Sequence, residues 1–166
     1  FLSTAGTGFD AHVAWKFSTV TSRGFLTYAK IALQELFRYK TKKYKLEIND
    51  QTIEVNAVAV TIANSNQYGN NAYVSPQSKL NDGFLRLIII KSFPFYYAPL
   101  LIFRLFNKSL LKSKFVVQYT LKRMVLTSPT EHVQLDGESL TMEGKLNIEV
   151  IPKCLNTVSY THLRAH

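Results

Sequence analysis

The sequence is poor in cysteine, glycine and proline, which excludes several classes of protein. Its 166 residues include one cysteine, seven glycines and five prolines. A single cysteine, Cys154, excludes an internal disulfide framework and indicates a reducing compartment, so a cytoplasmic protein is expected. So few glycines and prolines argue against a low-complexity chain. Cys154 itself is expected to be a small buried hydrophobe and not a nucleophile.

Signals for export and for membrane spanning are also missing. Residues 1–6 contain no initiator methionine and none of the basic and apolar regions of a signal peptide. The strongly apolar segment 93–106 is interrupted by Pro94, Pro99 and Arg104, and it falls short of the roughly 20 residues that a spanning helix needs. It is predicted to be an interfacial or buried helix.

Acidic residues are scarce relative to basic ones. There are 11 Asp and Glu against 20 Lys and Arg, which gives a net charge of +9. This excess attracts phosphates, whether on nucleic acid, nucleotides or anionic lipid head groups, and does not choose among them. Hydrophobic residues make up 46% of the chain and aromatics 13%, so the chain is expected to fold around a core.

Apolar periodicity predicts mostly strands, with two or three helices attached. Helical spacing marks residues 10–19 and 25–37. Strands are predicted at 1–8, 44–48, 52–63, 84–91, 123–128, 132–135, 139–142 and 145–151, the last two forming a pair. The expected fold is α+β, mainly β: one β-sandwich-like domain over residues 1–158. Residues 159–166 break the pattern and are interpreted as a non-native tail.

A polar, asparagine-rich stretch between two apolar strands is the first candidate for function. It runs from Asn64 to Gly83, and such side chains favour ordered turns that commonly carry chemistry. Near its end, Asp82-Gly83 forms a sharp turn. One carboxylate, neighbouring carbonyls and water would suit Mg²⁺, although a plain type I turn is the simpler interpretation of these residues alone.

A second acidic turn, Asp136-Gly137-Glu138, also lies between apolar runs. Asp-Gly between strands is a strong hairpin signal, which favours a structural role. However, Glu138 places a second carboxylate two residues on, on the same side of an extended strand. Paired carboxylates serve as a base and its partner in many enzymes. We expect Asp82 and Asp136 to converge on one cleft.

A short glycine segment, Gly6-Thr7-Gly8, precedes the first helix. It is a candidate phosphate-binding element at the helix N-terminus, against a tight strand-to-helix turn as the structural interpretation. The histidines His12 and His132 are too few and too far apart in sequence to predict zinc.

These motifs, taken in order, resemble the bacterial diacylglycerol kinase-like lipid kinases, a family that includes sphingosine kinases and is distantly similar to NAD kinases. The residues that carry the resemblance are Gly6-Thr7-Gly8-Phe9-Asp10-Ala11, Ala63-Asn64-Ser65, Tyr68-Gly69-Asn70, Ser75-Pro76, Lys79-Leu80-Asn81-Asp82-Gly83 and Asp136-Gly137-Glu138. The resemblance covers roughly residues 1–158 and corresponds to the second, β-sandwich domain. The nucleotide-binding domain with its Gly-Gly-Asp-Gly loop is expected to precede Phe1.

The resemblance implies specific roles. Asp136 would be the general base that accepts a proton from a lipid hydroxyl, with Glu138 beside it. Asp82 would bind a structural Mg²⁺ together with the backbone carbonyls of Lys79 and Phe84. ATP would be bound mainly by the missing domain, so this chain alone is expected to be inactive.

Partners and alternatives follow from the same resemblance. The expected substrate is diacylglycerol or a related lipid, with peripheral contact to an anionic membrane; a homodimer is compatible with the resemblance, and nucleic acid is not an expected partner. The alternatives are a sphingoid-base kinase, with NAD as a more distant substrate, and a non-catalytic basic β-domain that binds anionic membranes or nucleic acid.

Overall fold

The structure is a computed structural model that describes residues 1–21, 24–36, 38–49, 51–129, 132–142 and 144–154. Its helices are α1 (Phe9–Ser18), α2 (Phe25–Leu36) and α3 (Ala98–Phe106), with short 3₁₀ turns at Phe95–Tyr97 and Leu110–Lys112. Its strands are β1 (Thr4–Gly8), β2 (Lys42–Ile48), β3 (Gln51–Ala63), β4 (Leu85–Lys91), β5 (Val116–Leu121), β6 (Arg123–Thr127), β7 (His132–Leu135), β8 (Glu138–Thr141) and β9 (Lys145–Glu149).

One long strand, β3, joins two sheet segments. Its second half pairs with β1 and β4, which continue the order β8-β7-β1-β3-β4-β5. Its first half pairs with β2, which continues to β6 and β9. The register with β4 shifts between Ala57 and Ala59, and such irregularities bend a strand. This bend gives the mainly β, sandwich-like α+β fold that the sequence predicts.

The main core lies between these two segments. The pattern of β2 shows why: Tyr44, Leu46 and Ile48 are buried, whereas Lys43 and Lys45, which alternate with them, are exposed. Alternation with a period of two sends every second side chain to the same face. The core is completed by apolar residues of the neighbouring strands: Val60, Ile62, Leu85, Leu87, Ile89, Leu121, Met124 and Leu126.

The opposite face of the β1-β3-β4 segment is covered by helices and loops. Helix α1 buries Ala11, Val13 and Ala14, and it packs across β1, β7 and β8. A second apolar cluster joins Ile88 of β4 to Leu101 of α3. None of the described helices is long and apolar enough to cross a bilayer.

Several local predictions need correction. Strand β5 was not predicted, and it pairs with β4 at the end of its branch. The strands at 139–142 and 145–151 do not pair with each other, because β8 joins β7 while β9 joins β6. Cys154 is exposed, not buried. The tail at 159–166 lies outside the described residues.

Candidate functional site

The two acidic turns lie at the same end of the sheet. Thr4 at the start of β1 pairs with Ala63 at the end of β3, and Ala63 pairs with Arg86 at the start of β4. The backbone N–H of Asp136 donates to the carbonyl of Thr4 over 2.8 Å. Asp82 lies just before β4, so antiparallel pairing brings both turns to the same end of the strands.

The carboxylate of Asp136 is held by the backbone of the chain's first residues. It accepts hydrogen bonds from the N–H groups of Leu2 at 2.7 Å, Ser3 at 2.7 Å and Thr4 at 3.0 Å. Partial burial raises the pKa of this carboxyl group, but the three donors together with the positive charge of the N-terminal amine hold the pKa below its ordinary value. The group is therefore ionised and fixed in direction at neutral pH.

Ser3 connects this turn to the asparagine-rich loop. Its carbonyl accepts hydrogen bonds from the N–H groups of Asn64, at 2.9 Å, and Ser65, at 3.0 Å. Its hydroxyl lies 2.5 Å from that of Ser65, and the Asn64 side chain donates to the carbonyl of Leu2. The two segments that the sequence singles out, the loop and the Asp136 turn, are thus joined through Leu2 and Ser3.

Glu138 lies on the other side of the Asp136-Gly137 turn. It opens β8, pairs with Leu135 and is exposed. Among the residues that the structure describes, no side-chain hydrogen bond or ion pair engages its carboxylate. Asp136 has a positive φ of 53° and Gly137 one of 90°, which is the geometry of a two-residue hairpin turn. One turn therefore presents one held carboxylate and one free carboxylate.

Asp82 forms a compact turn of its own. Its Oδ1 accepts the N–H of Phe84 at 2.9 Å, and its Oδ2 pairs with the Arg86 guanidinium at 2.7 Å. The Lys79 carbonyl accepts the Asp82 N–H over a long 3.4 Å, so its lone pairs are weakly used. Gly83 has a φ of 72°, which glycine adopts at no steric cost.

A cavity of about 260 Å³ adjoins this turn. Its lining residues are Asp82, Gly83, Phe84, Lys122, Arg123, Glu149, Val150 and Pro152. A carboxylate, a weakly used carbonyl and room for water fit the ligand preference of Mg²⁺, which keeps several waters. Within the described ranges, no group of three or more His, Cys, Asp or Glu side chains could hold a metal ion. Besides the Asp82 carboxylate, any ion here would therefore depend on backbone carbonyls and water.

The two carboxylates flank strands that are not neighbours in the sheet. Strands β7 and β4 are three steps apart in the sheet, or about 14 Å at the usual strand spacing. The cavity beside Asp82 does not include Asp136. The structure places both turns at the same end of the sheet, and their convergence on one cleft stays a prediction.

The Gly6-Thr7-Gly8 segment lies inside β1. Gly6 and Thr7 pair with β3 on one side and β7 on the other, and all three residues are buried. The backbone turns into α1 at Gly8, where φ is 102°. This placement favours a packing role over a phosphate cradle, since the neighbouring strands use the backbone groups of Gly6 and Thr7.

Asp10, the first residue of the helix predicted at 10–19, is the centre of a further polar cluster. Its Oδ1 accepts the N–H of Ala11 at 2.9 Å. Its Oδ2 accepts the hydroxyl of Thr61 at 3.1 Å and lies 3.5 Å from that of Tyr68. A Cβ atom at Gly6 would overlap Oδ2. The signal in the sequence was the glycine four residues before the acid.

Comparison with known proteins agrees with this fold. The family model described as the YegS C-terminal NAD kinase beta sandwich-like domain matches residues 3–159. A protein of Shewanella frigidimarina named "Probable lipid kinase YegS-like" is 24% identical over 162 residues, which is 95% of this chain and 52% of that protein. This chain thus spans about half the length of that relative.

A solved structure shows the same fold. A crystal structure of a diacylglycerol kinase from Bacillus anthracis str. Sterne aligns with a TM-score of 0.56 and 19% identity. The alignment covers 92% of this chain and 47% of that one.

Proposed function

Because the chain belongs to the YegS C-terminal β-sandwich-like domain family, we propose that it is the C-terminal part of an ATP-dependent lipid kinase. The complete protein would transfer the γ-phosphoryl group of ATP to a hydroxyl of diacylglycerol or a related lipid. The relative named as a lipid kinase and the neighbour named as a diacylglycerol kinase support this substrate class.

The observation that carries the proposal is the anchored carboxylate of Asp136. A base that accepts the proton of a hydroxyl must be ionised and correctly directed, and three backbone N–H groups meet both needs. The same hydrogen bonds help to lower the pKa of Asp136, and a lower pKa makes its carboxylate a weaker proton acceptor. The exposed carboxylate of Glu138, two residues on, is therefore the second candidate for this role.

ATP and Mg²⁺ belong to the same proposal. The part of the protein outside this chain would bind most of the nucleotide. Asp82 and the carbonyls of Lys79 and Phe84 would hold a Mg²⁺ ion, which would supply positive charge and rigidity at the Asp82-Gly83 turn. The Arg86 guanidinium already shares that carboxylate, so the ion would bind beside it.

An apolar surface on α3 and the turn before it fits a peripheral membrane contact. We name it the aromatic helix surface, and its exposed members are Phe95, Tyr96, Leu100, Ile102, Phe103 and Phe106. Phe95 and Tyr96 are 70% and 72% exposed, and such a contiguous patch marks an interaction site. Lys91, Arg104 and Lys108 lie on or next to these elements and would attract anionic lipid.

The test is a phosphorylation assay on the complete protein with γ-labelled ATP. Diacylglycerol, a sphingoid base and NAD would be supplied in parallel, the two lipids in mixed micelles. We expect label in diacylglycerol that requires ATP and Mg²⁺. Label in the sphingoid base alone would indicate a sphingoid-base kinase. Absence of label in every acceptor would overturn the kinase proposal and favour a binding domain.

A further inference from the structure

The net positive charge of the chain is concentrated in one segment. Residues 83–130 contain eight Lys and Arg residues and no Asp or Glu, whereas the other residues contain 12 basic and 11 acidic side chains. The segment carries β4, the aromatic helix surface and β5. Among the described residues, Arg86 is the cation of this segment that has an ion-pair partner, Asp82. The cations around α3 therefore have no counter-charge.

Arg104 is the cation that lies within the aromatic helix surface itself. It follows Phe103 directly and lies one helical turn after Leu100, so it adjoins exposed apolar residues on the helix. Its Nη1 is enclosed by the protein, yet no described residue accepts a hydrogen bond from it. An enclosed N–H without an acceptor has lost its water and gained no partner, which costs free energy. An anion that gave this guanidinium an acceptor would remove that cost.

Lys108 occupies a position at which helices commonly have glycine. The N–H of Ser109 donates to the carbonyl of Arg104 at 2.9 Å, and Lys108 between them has a φ of 52°. This is the Schellman helix ending, which favours glycine because a side chain is strained at positive φ. The Nζ of Lys108 lies 4.5 Å from the centroid of the Tyr73 ring. A lysine held in a strained conformation indicates a use for its ammonium group.

The two cations are neighbours at one end of α3. They are four residues apart, and the bond between Ser109 and Arg104 closes the turn that holds both. The helix dipole favours cations at this end, but it supplies no acceptor for Nη1. A phosphate monoester carries about −1.5 to −2 charges at neutral pH and three acceptor oxygens. It thus matches one forked guanidinium and one ammonium in charge, whereas a phosphodiester carries a single charge.

We propose that Arg104 and Lys108 bind the head group of a lipid phosphomonoester at the rim of the aromatic helix surface. The exposed aromatic side chains contact the apolar part of the same membrane, so the ligand is a membrane lipid and not a free phosphate. Phosphorylation of a lipid hydroxyl creates a product of this class. That identification of the ligand as product rests on the proposed kinase function, and the binding site does not. Product made in a membrane would then retain the enzyme there.

The experiment is cosedimentation of the complete protein with phosphatidylcholine vesicles that contain either phosphatidic acid or phosphatidylserine. The two mixtures are matched in zeta potential, and no ATP is present. We expect binding to the phosphatidic acid vesicles to be about tenfold tighter, the equivalent of one charge-assisted hydrogen bond. Equal binding to the two kinds of vesicle would overturn the proposal.

Two variants connect this preference to the site. Arg104→Gln and Lys108→Gly should each remove the preference for phosphatidic acid. Glycine fits the positive φ at residue 108, so Lys108→Gly should not lower the melting temperature, and its loss of preference cannot be ascribed to unfolding. Lys45→Gln removes the same charge at an exposed position on β2 and should keep the preference. A preference that survives in both site variants would contradict the assignment.

A soluble phosphomonoester tests the source of the phosphate. Calorimetric titration of the complete protein with glycerol 3-phosphate, without vesicles, should show no binding that depends on Arg104. Binding that Arg104→Gln abolishes would identify a free phosphate as the ligand and overturn the membrane assignment.

The binding assay and the phosphorylation assay separate the two proposals. A protein that phosphorylates no lipid but prefers phosphatidic acid vesicles would lose the kinase function and keep the head-group site. A lipid kinase that binds both kinds of vesicle equally would do the reverse.

Discussion

Asp10 occupies the space that a side chain at residue 6 would need. Gly6 pairs with Thr61 on one side and Gln134 on the other, and the Thr61 hydroxyl donates a hydrogen bond to the Asp10 carboxylate above the glycine. Because Gly6 has no Cβ, the Asp10 carboxylate can lie against the backbone of β1. This relationship connects the glycine segment to the asparagine-rich loop, since Tyr68 of that loop reaches the same carboxylate oxygen.

Gly6→Ala should destabilise the fold, because the new methyl group overlaps Oδ2 of Asp10 and approaches the carbonyl oxygen of Val60 at 3.1 Å. Overpacking of this kind costs about 1–3 kcal/mol. Urea denaturation of Gly6→Ala, Asp10→Ala and the double variant would measure the coupling. The double variant should be more stable than the sum of the two single effects predicts; simple additivity would show that the two residues do not compete for space.

The free energy of unfolding should depend on pH through Asp10. Its folded-state pKa is about 6 against an ordinary 3.8. The folded state thus keeps a proton that the unfolded state releases in this window, so its stability falls as the pH rises from 3.8 to 6. Two pKa units correspond to about 3 kcal/mol.

Wild type and Asp10→Asn should be compared by urea unfolding at pH 4, 5, 6 and 7. The wild type should lose stability relative to the variant as the pH rises. Glu54→Gln, at an exposed Lys43 ion pair, is the control and should not reproduce this trend. Parallel curves for wild type and Asp10→Asn would contradict the raised pKa.

Asp136→Asn should lower kcat for lipid phosphorylation by about 100-fold or more, the usual contribution of a general base. Asparagine tolerates the positive φ at this position, but it keeps one acceptor oxygen for three N–H donors. A stability loss of about 1–3 kcal/mol is expected. Glu138→Gln is the matched variant: if it loses activity while Asp136→Asn retains it, the base is Glu138.

Mg²⁺ should raise the melting temperature of the wild type and have little effect on Asp82→Ala. Binding at ten times Kd corresponds to about 1.4 kcal/mol. Removal of Asp82 also leaves Arg86 without its carboxylate, so the quantity to compare is the change produced by Mg²⁺ within each protein. Glu149→Gln changes a carboxylate on the same cavity and should keep the response. Equal shifts in all three proteins would place the ion elsewhere.

Phe103→Asp should weaken binding to vesicles that contain phosphatidylserine. Phe103 is 62% exposed on the aromatic helix surface. If its side chain is buried in the membrane on binding, its loss corresponds to about tenfold or more in affinity. Leu26→Asp is the control, because Leu26 is 83% exposed on α2, outside this surface. Cosedimentation would measure both; identical losses in the two variants would indicate a general charge effect.

Much of the fold could be predicted because its signals are local. The alternation in β2, the apolar run in β3 and the helical spacing of α2 are readable without knowledge of the neighbours. Strand β5 lacks such a signal, since Gln118, Tyr119 and Thr120 interrupt its apolar residues. The pairing of β8 and β9 with different partners is set by the order of the whole sheet, which a turn signal between them does not contain.

The candidate site was predictable in part for the same reason. Asp82 and Asp136 can be recognised in the sequence because each is followed by a glycine. Asp10 does not, because an acid in the first turn of a helix already has a local explanation in the helix dipole. Its distinctive partners lie far along the chain: Thr61 is 51 residues away. Tyr68, 58 residues away, reaches the same carboxylate only once the sheet is assembled.

Strand β1 is the inner neighbour of both β3 and β7, with Ala5 opposite Ile62 on one flank and Leu135 on the other. During synthesis, its second flank stays vacant until more than a hundred further residues have left the ribosome. The nascent chain therefore leaves one edge of β1, the strand beside the Asp10 carboxylate, unpaired until β7 has been synthesised. Final closure of the sheet and completion of the acidic turn would then be a single late event.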